Sequence, residues 1–225
     1  YAVESYQSLY LKTYYPLEFM VAVVNNFGGF YTAELYLHEA KKAGAHIEAP
    51  CINKSNYTTC IYGTVIYVGF IHITGLENNV AERILAERLA NGPFVDFDDF
   101  MMRVVINLEQ LEILITINAF RISGIKKREL LIEAYRRLNK SKKTQPAATL
   151  FHTGAPTPYQ FPELHLDNRE DAWDEIKILG FPLSSPFDLI DDPLINNRRL
   201  VRVRDFSKHV GATVEIVGYL IITKH

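Results

Sequence analysis

Gly69-Phe-Ile-His-Ile-Thr-Gly-Leu-Glu-Asn-Asn-Val-Ala-Glu-Arg-Ile-Leu85 is the stretch of sequence that decides the fold of this chain. The glycine at its centre is typical of a tight turn, and the residues that follow have the spacing of an amphipathic helix. A weaker form of the pattern returns about thirty residues later, in Ile115-Thr-Ile-Asn-Ala-Phe-Arg-Ile-Ser-Gly-Ile-Lys-Lys-Arg-Glu-Leu130. The sequence therefore predicts two hairpins in tandem, each with a glycine turn before a helix.

Length and composition limit the class of protein. The chain has 225 residues, of which 48% are hydrophobic, so it can bury a core in one or two domains. Its formal net charge is −2, which argues against a wholly basic nucleic-acid coat protein. Positive charge is instead concentrated between Arg121 and Lys143, and negative charge between Glu163 and Asp192. The basic segment is either a binding face or an ordinary solvated surface.

Two cysteines, Cys51 and Cys60, have no second pair that would complete a zinc site, and we expect reduced thiols. No apolar run approaches the roughly 20 residues that span a bilayer, so no membrane association is expected. The chain opens at Tyr1 without a methionine, and its last residues have the pattern of an incomplete β-strand. We therefore expect a fragment of a longer protein.

The periodicity of apolar residues predicts a mainly α-helical fold with a small β-hairpin region. Two short strands are expected at Tyr57–Tyr62 and Thr64–Val68, and two more near the end, at Leu200–Arg204 and Thr213–Ile222. The segment Lys140–Pro162 is rich in proline and polar residues and is typical of an exposed linker. Helices are expected at Ala2–Tyr15, Pro16–Asn26, Phe30–Ala43, Asn79–Ala90, Asp96–Val104, Leu108–Ile117 behind an Asn107 cap, Ile125–Asn139 and Glu170–Leu179.

The two hairpins have the chemistry of a phosphate site. A glycine turn before a helix brings backbone N–H groups together, and the helix N-terminus adds a partial positive charge. Cations at the start of the second helix are poorly placed against its dipole unless an anion binds there. A plain helix-turn-helix core would explain the first turn equally well. The predicted DNA-backbone contacts are Gly75, Asn78, Asn79, Ser123, Gly124, Lys126, Lys127 and Arg128.

Several segments resemble, in order and spacing, the bacterial C-family replicative polymerases, which are the DNA polymerase III alpha subunits and their error-prone relatives. Ser5–Met20 resembles their tyrosine-rich segment, and Gly69–Leu85 resembles their first helix-hairpin-helix. The remaining segments that resemble the family are Gly92–Phe100, Asn118–Phe120 with Arg128–Leu130, and Leu179–Ser184. Two positions depart from the family pattern, because Glu77 and Asn118 stand where the family usually has glycine. The Glu77 carboxylate would repel phosphate, whereas Asn tolerates a left-handed turn.

The resemblance implies a domain order. Residues 1–68 would end the polymerase fingers, 69–140 would form the tandem helix-hairpin-helix domain, and 141–168 would be a linker. Residues 169–225 would supply a connector helix and the start of an OB domain. The linker segment Gln145–Phe151 resembles the family's sliding-clamp-binding peptide, with Ala147, Leu150 and Phe151 at the matching positions. Alternatively, Leu150 and Phe151 pack on their own domain.

The resemblance also limits the chemistry. The palm aspartates of the family precede this region, so we expect no polymerase activity, catalytic residue, metal site or cofactor here, although the parent polymerase would use Mg²⁺. Asp96, Asp98 and Asp99 are better explained as a helix cap with acids in its first turn. The implied partners are duplex DNA, the sliding clamp and other polymerase III holoenzyme subunits, in the bacterial cytoplasm. The alternative is a protein-interaction adaptor whose hairpins are purely structural.

Overall fold

The computed structural model describes residues 1–27, 29, 31–140, 169–190 and 200–220. It begins with three helices, α1 (Ala2–Tyr14), α2 (Pro16–Asn25) and α3 (Ala33–Lys42). Pro16 occupies the first turn of α2, where its missing N–H costs no helical hydrogen bond. α1 buries none of its residues, and Tyr10 stacks on Tyr14 along its outer face at a ring-centroid distance of 4.6 Å. α2 instead contributes Met20, Val21 and Val24 to the core.

A small mixed sheet follows, made of β1 (His46–Glu48), β2 (Cys60–Tyr62) and β3 (Val65–Tyr67) in the order β1-β3-β2. The β2–β3 hairpin confirms the predicted β region, although its first strand is shorter than expected. Residues 56 and 57 stay outside it because their carbonyl groups accept the amides of Phe70 and Ile71, at 3.0 and 2.9 Å. β1 was not predicted; it pairs in parallel with β3, with Ile47 opposite Ile66.

The centre of the fold is helical and agrees closely with the sequence prediction. A 3₁₀ helix at Phe70–His72 leads to α4 (Asn78–Asn91), α5 (Phe97–Arg103) and α6 (Leu108–Thr116), and a second 3₁₀ helix at Arg121–Ser123 leads to α7 (Lys127–Lys140). The predicted caps are confirmed: the Asp96 side chain accepts the Asp99 amide, and the Asn107 side chain accepts the Gln110 amide. Asn118 adopts a left-handed backbone with φ of 59°, as expected for asparagine in place of glycine.

The end of the chain differs from the prediction. α8 (Glu170–Leu179) is found as expected, but the strands predicted at Leu200–Arg204 and Thr213–Ile222 are wrong for the part of them that the structure describes. A single bridge joins Leu200 to Glu215, and Val203–His209 forms a 3₁₀ helix. The Asp205–Lys208 ion pair suits this geometry, because residues three apart lie on the same side of a 3₁₀ helix.

The core lies between the sheet and helices α4 to α7. Its centre is an aromatic cluster in which the Phe100 ring meets those of Phe94 and Phe120 edge-on, at 5.1 and 4.8 Å between centroids. Such edge-to-face pairs add to the free energy gained by burying each ring. The thiols of Cys51 and Cys60 are free. None of the helices in the described ranges combines the length and the apolarity that a bilayer crossing demands.

One buried polar side chain joins the first hairpin to α6. The Gln110 carboxamide accepts the Glu77 amide at 2.7 Å and donates to the Gly75 carbonyl oxygen at 2.8 Å. Gln110 is only 3% exposed, so water cannot easily replace either hydrogen bond. The glycine turn is therefore held in register with α6 by one side chain.

We predict that Gln110→Leu lowers the free energy of unfolding by about 1–3 kcal/mol, because it leaves the Glu77 N–H and the Gly75 carbonyl without partners. Urea denaturation measures this loss. The neighbouring exposed residue provides a control, and Glu109→Leu should change stability by no more than about 0.5 kcal/mol. Equal stability of Gln110→Leu and the unmodified chain would contradict the role assigned to the carboxamide.

We also predict that Gly69→Ala is destabilising through overpacking. A Cβ at this position would lie 2.3 Å from the Thr58 carbonyl carbon and 2.4 Å from the Thr59 amide nitrogen, and both are backbone atoms. A loss of about 1–3 kcal/mol is expected in the same denaturation assay. Gly218→Ala is the matched control, because a Cβ there meets no atom within 4 Å. If the Gly69→Ala chain were as stable as the control, the backbone at Thr58 and Thr59 would have to move away from the new Cβ at little cost, and the prediction would be wrong.

Candidate nucleic-acid interface

The two predicted hairpins share one backbone geometry. Gly75 and Gly124 both adopt left-handed conformations, with φ of 82° and 67°, that residues other than glycine rarely tolerate. In each hairpin a 3₁₀ helix precedes the glycine, and an α-helix begins at the third residue after it, at Asn78 in α4 and Lys127 in α7. The tandem repeat seen in the sequence is therefore a repeat in structure.

Counted from the two glycines, the residues of one hairpin correspond to those of the other. Glu77 matches Lys126, Asn78 matches Lys127, and Asn79 matches Arg128. The first hairpin thus has one acidic and two amide side chains at the positions where the second has three basic ones, although the two backbones have the same geometry. Any difference between the hairpins in binding an anion must come from these side chains and their neighbours.

The first hairpin is only partly open to a ligand. Its Glu77 amide is already donated to Gln110, and the exposed Glu77 carboxylate adds negative charge beside the turn. The amides of Asn78 and Asn79, in contrast, donate to no acceptor within the described ranges. The Asn78 side chain accepts a hydrogen bond from the Tyr57 hydroxyl at 3.0 Å.

A positive charge that sequence reasoning missed lies beside this turn. The Arg83 guanidinium donates to the Asn79 carbonyl at 3.1 Å and to the Val105 carbonyl at 2.6 Å. It pairs with no carboxylate among the residues that the structure describes. Its position four residues after Asn79 on a helix is the sequence signal that could have identified it.

The second hairpin presents less free positive charge than the sequence suggests. Ser123 donates to the Phe120 carbonyl and accepts the Ile125 amide, so its hydroxyl serves the loop itself. Lys126 is exposed, and its side chain has no ion-pair or hydrogen-bond partner in the described part of the chain. Lys127 and Arg128, in contrast, are both occupied by carboxylates of α8.

Lys127 lies in the tightest of these contacts. Its Nζ lies 2.6 Å from Asp171 Oδ1, 2.6 Å from Asp174 Oδ2 and 3.0 Å from the Thr116 carbonyl oxygen. Burial by itself would lower the pKa of Lys127, but the hydrogen bonds to the two aspartates outweigh it and raise that pKa above its ordinary value. Arg128 forms a short ion pair with Glu170, one residue before Asp171.

The arginines further along α7 are also paired internally. Arg136 and Arg137 both contact Glu133, and Arg137 reaches Asp98 of α5 at 2.5 Å. The hydrogen bond from Arg136 and that from Arg137 lower the pKa of Glu133 to about 2 despite some burial. Arg121 is bound by Glu48 and by the carbonyls of Ala49 and Pro50. Most cations of the basic segment that the structure describes are therefore neutralised by neighbouring acids.

The remaining predicted sites can be placed only in part. Ala147, Leu150 and Phe151 lie outside the described residues. Asp96 and Asp99 act in the cap of α5, and Asp99 also pairs with Arg103. Among the described residues, no group of three or more His, Cys, Asp and Glu side chains is arranged to hold a metal ion.

Comparison with known proteins agrees with this geometry. Residues 44–130 match the sequence family described as the helix-hairpin-helix motif, a range that includes both glycine turns. The chain is 31% identical over 203 residues to the DNA polymerase III subunit alpha of Treponema pallidum, which covers 84% of this chain and 17% of that protein. It is 37% identical over 139 residues to the corresponding subunit of Deinococcus radiodurans, covering 60% of this chain and 10% of the subunit.

The error-prone branch is similar as well. The error-prone DNA polymerase of Mycobacterium bovis is 33% identical over 129 residues, which cover 56% of this chain and 12% of that polymerase. The chain thus spans less than a fifth of the length of each of these relatives. The chain has the two hairpins, matches the helix-hairpin-helix motif and is similar to both branches of the polymerases. It therefore belongs to the bacterial C-family DNA polymerases, of which it represents one region.

Proposed function

We propose that this region holds duplex DNA non-specifically through backbone phosphates and so keeps its parent polymerase on the template. The observation that carries the proposal is the repeated geometry of Gly75 and Gly124, each followed at the third residue by the start of a long helix. Phosphate contacts of this kind fix the position of a protein on DNA and carry no sequence information. The parent would be a nucleotidyltransferase that uses Mg²⁺, with its catalysis in other regions.

The available contacts are unequal between the hairpins. The first offers the amides of Asn78 and Asn79 with Arg83 nearby, and the second offers Gly124 and the unpaired Lys126. Lys126 stands where the first hairpin has Glu77, so the second hairpin attracts phosphate at the position where the first repels it. The wider set predicted from the sequence, Gly75, Ser123, Lys127 and Arg128 included, remains part of the proposal.

We further propose the surrounding organisation implied by the family. Residues 1–68 would complete the fingers, 69–140 would form the DNA-holding unit and 141–168 the linker. Residues 169–225 would supply a connector helix and the start of an OB domain. The exposed tyrosines of α1 support a position against other parts of a larger protein, because exposed apolar surface of this kind usually marks an interface. Other holoenzyme subunits and a cytoplasmic location would follow from that role.

A protein-interaction adaptor with purely structural hairpins is the second candidate. It is favoured by one observation, the internal pairing of Lys127, Arg128 and Arg137 with carboxylates. Such pairing removes the charge that a DNA surface needs. The two candidates differ in whether the chain binds duplex DNA at all, and in how binding depends on salt.

We predict that the chain binds duplex DNA of unrelated sequences with similar affinity and with a steep negative slope of log K on log salt. Lys126→Ala should reduce the magnitude of that slope by about one, because one phosphate contact is lost. Lys12→Ala on α1 removes the same charge outside the hairpins and should leave the slope unchanged. Fluorescence anisotropy over a salt series measures both. Absence of binding at low salt would refute the DNA-holding function in favour of the adaptor.

For the linker we predict that Leu150→Ala combined with Phe151→Ala abolishes capture by a bacterial sliding clamp. The reason is that two adjacent large apolar residues in a polar segment supply the area that a partner groove would bury. Surface plasmon resonance with immobilised clamp measures capture, and Pro158→Ala in the same linker is the control. Unchanged capture by the double variant would refute the clamp-tethering role of the linker, and the proposal that the chain holds duplex DNA would still stand.

A further inference from the structure

The acids of α8 lie on the cations of the second hairpin. Asp171 and Asp174 both contact Lys127, and Glu170 contacts Arg128, so three carboxylates of one helix neutralise two adjacent cations at the start of another. The N-terminus of a helix attracts anions, and here protein carboxylates supply the negative charge that a phosphate would otherwise bring.

The two halves of α8 are held in different ways. Its C-terminal end is anchored by burial of Ile178 and Leu179, with Phe181 beyond them, and by the Ile178 carbonyl, which accepts the Thr74 amide of the first hairpin at 2.9 Å. Its N-terminal half buries only Ala172, and Trp173 is 57% exposed. The N-terminal half is therefore held mainly by its ion pairs.

A pocket beside α8 reinforces this distinction. It has a volume of about 360 Å³, and its lining includes Thr116, Asn118, Lys127, Asp171 and Glu175. Close packing would resist separation of α8 from α6 and α7, but this space contributes no such contacts. Breaking the ion pairs would consequently free the N-terminal half while the C-terminal end stays bound.

We propose that the N-terminal half of α8 is an autoinhibitory latch, which covers Lys127 and Arg128 and is displaced when backbone phosphates of duplex DNA bind the second hairpin. The inference rests on the proposed DNA-holding function. It assigns Glu170, Asp171 and Asp174 a regulatory role. The Asn78 and Asn79 amides and Lys126 are then accessible with the latch closed, whereas Lys127 and Arg128 become accessible only when it moves. Duplex DNA and the three carboxylates then compete for the same two cations.

The test compares Asp171→Asn combined with Asp174→Asn against the unmodified chain in the salt series. Releasing the cations should tighten duplex binding on the order of tenfold near 0.1 M salt. The slope of log K on log salt should become steeper by the equivalent of about one to two phosphate contacts. Glu18→Gln combined with Asp188→Asn removes the same charge from exposed positions away from the latch, and should leave the slope unchanged. Equal gains in both double variants would show a general charge effect and overturn the latch.

A third variant identifies the cation. Adding Lys127→Ala to the Asp171→Asn, Asp174→Asn chain should remove the gain, whereas Lys127→Ala alone should leave duplex affinity within about twofold of the unmodified chain. A larger loss from Lys127→Ala alone would mean that Lys127 is already free for DNA, and would overturn the proposal. Circular dichroism at the binding temperature verifies that each chain is folded.

Hydrogen exchange tests the latch without any substitution. On saturation with duplex, the hydrogen-bonded amides of residues 173–175 of the unmodified chain should exchange faster, while those of residues 177–180 should keep their protection. Unchanged or slower exchange at residues 173–175 in the bound state would overturn the latch. These outcomes are distinct from failure of the proposed function, in which neither the unmodified chain nor any latch variant binds duplex at all.

Discussion

The relation between the two hairpins depends on the hydrogen bonds of a single carboxamide. Gln110 accepts from Glu77 and donates to the Gly75 carbonyl, while its own backbone amide is capped by Asn107. Because α6 ends at Thr116 and the second hairpin follows at once through Asn118, the residue that holds the first turn belongs to the helix that leads into the second. Burial of Gln110 excludes water as a substitute, so the two helix starts are held in one arrangement.

Whether a basic residue of this molecule carries free positive charge depends on the carboxylates that it contacts more than on the charge of its sequence segment. The basic run from Arg121 onward suggests a positive face, yet most of its described cations meet carboxylates from α5, from α8 or from α7 itself. Exposed ion pairs contribute little to stability, whereas half-buried ones such as that of Lys127 are more costly to break. The free positive charge near the turns is therefore smaller and more local, at Lys126 and around Arg83.

This arrangement suits the proposed function, in which the region holds DNA without reading its sequence. Contacts limited to backbone amides and a few cations would position the chain on a duplex and carry no sequence information. An acidic helix that competes with phosphate would tune the grip further. Its C-terminal end is joined to the first hairpin by the hydrogen bond from the Thr74 amide to the Ile178 carbonyl.

The sequence by itself determined the helices of the centre, their caps and the two glycine turns, because these depend on spacing and on residues a few positions apart. Capping by Asp96 and Asn107 and the left-handed turn at Asn118 are local in this sense. The strands expected near the end were wrong over the residues that the structure describes there, where the two segments meet in a single bridge and form no ladder. Three-residue β1 was too short to show a period and depends on pairing with β3.

Only the tertiary structure decided which predicted phosphate contacts are open. The pairing of Lys127 with Asp171 and Asp174 joins residues more than forty positions apart, and the Gln110–Gly75 hydrogen bond joins residues 35 positions apart. No local pattern encodes such contacts, because they arise when packing of the core brings separate helices together. The physical reason is that the spacing of apolar residues specifies each helix. The long-range ion pairs and hydrogen bonds depend instead on the positions that the helices take when they pack together.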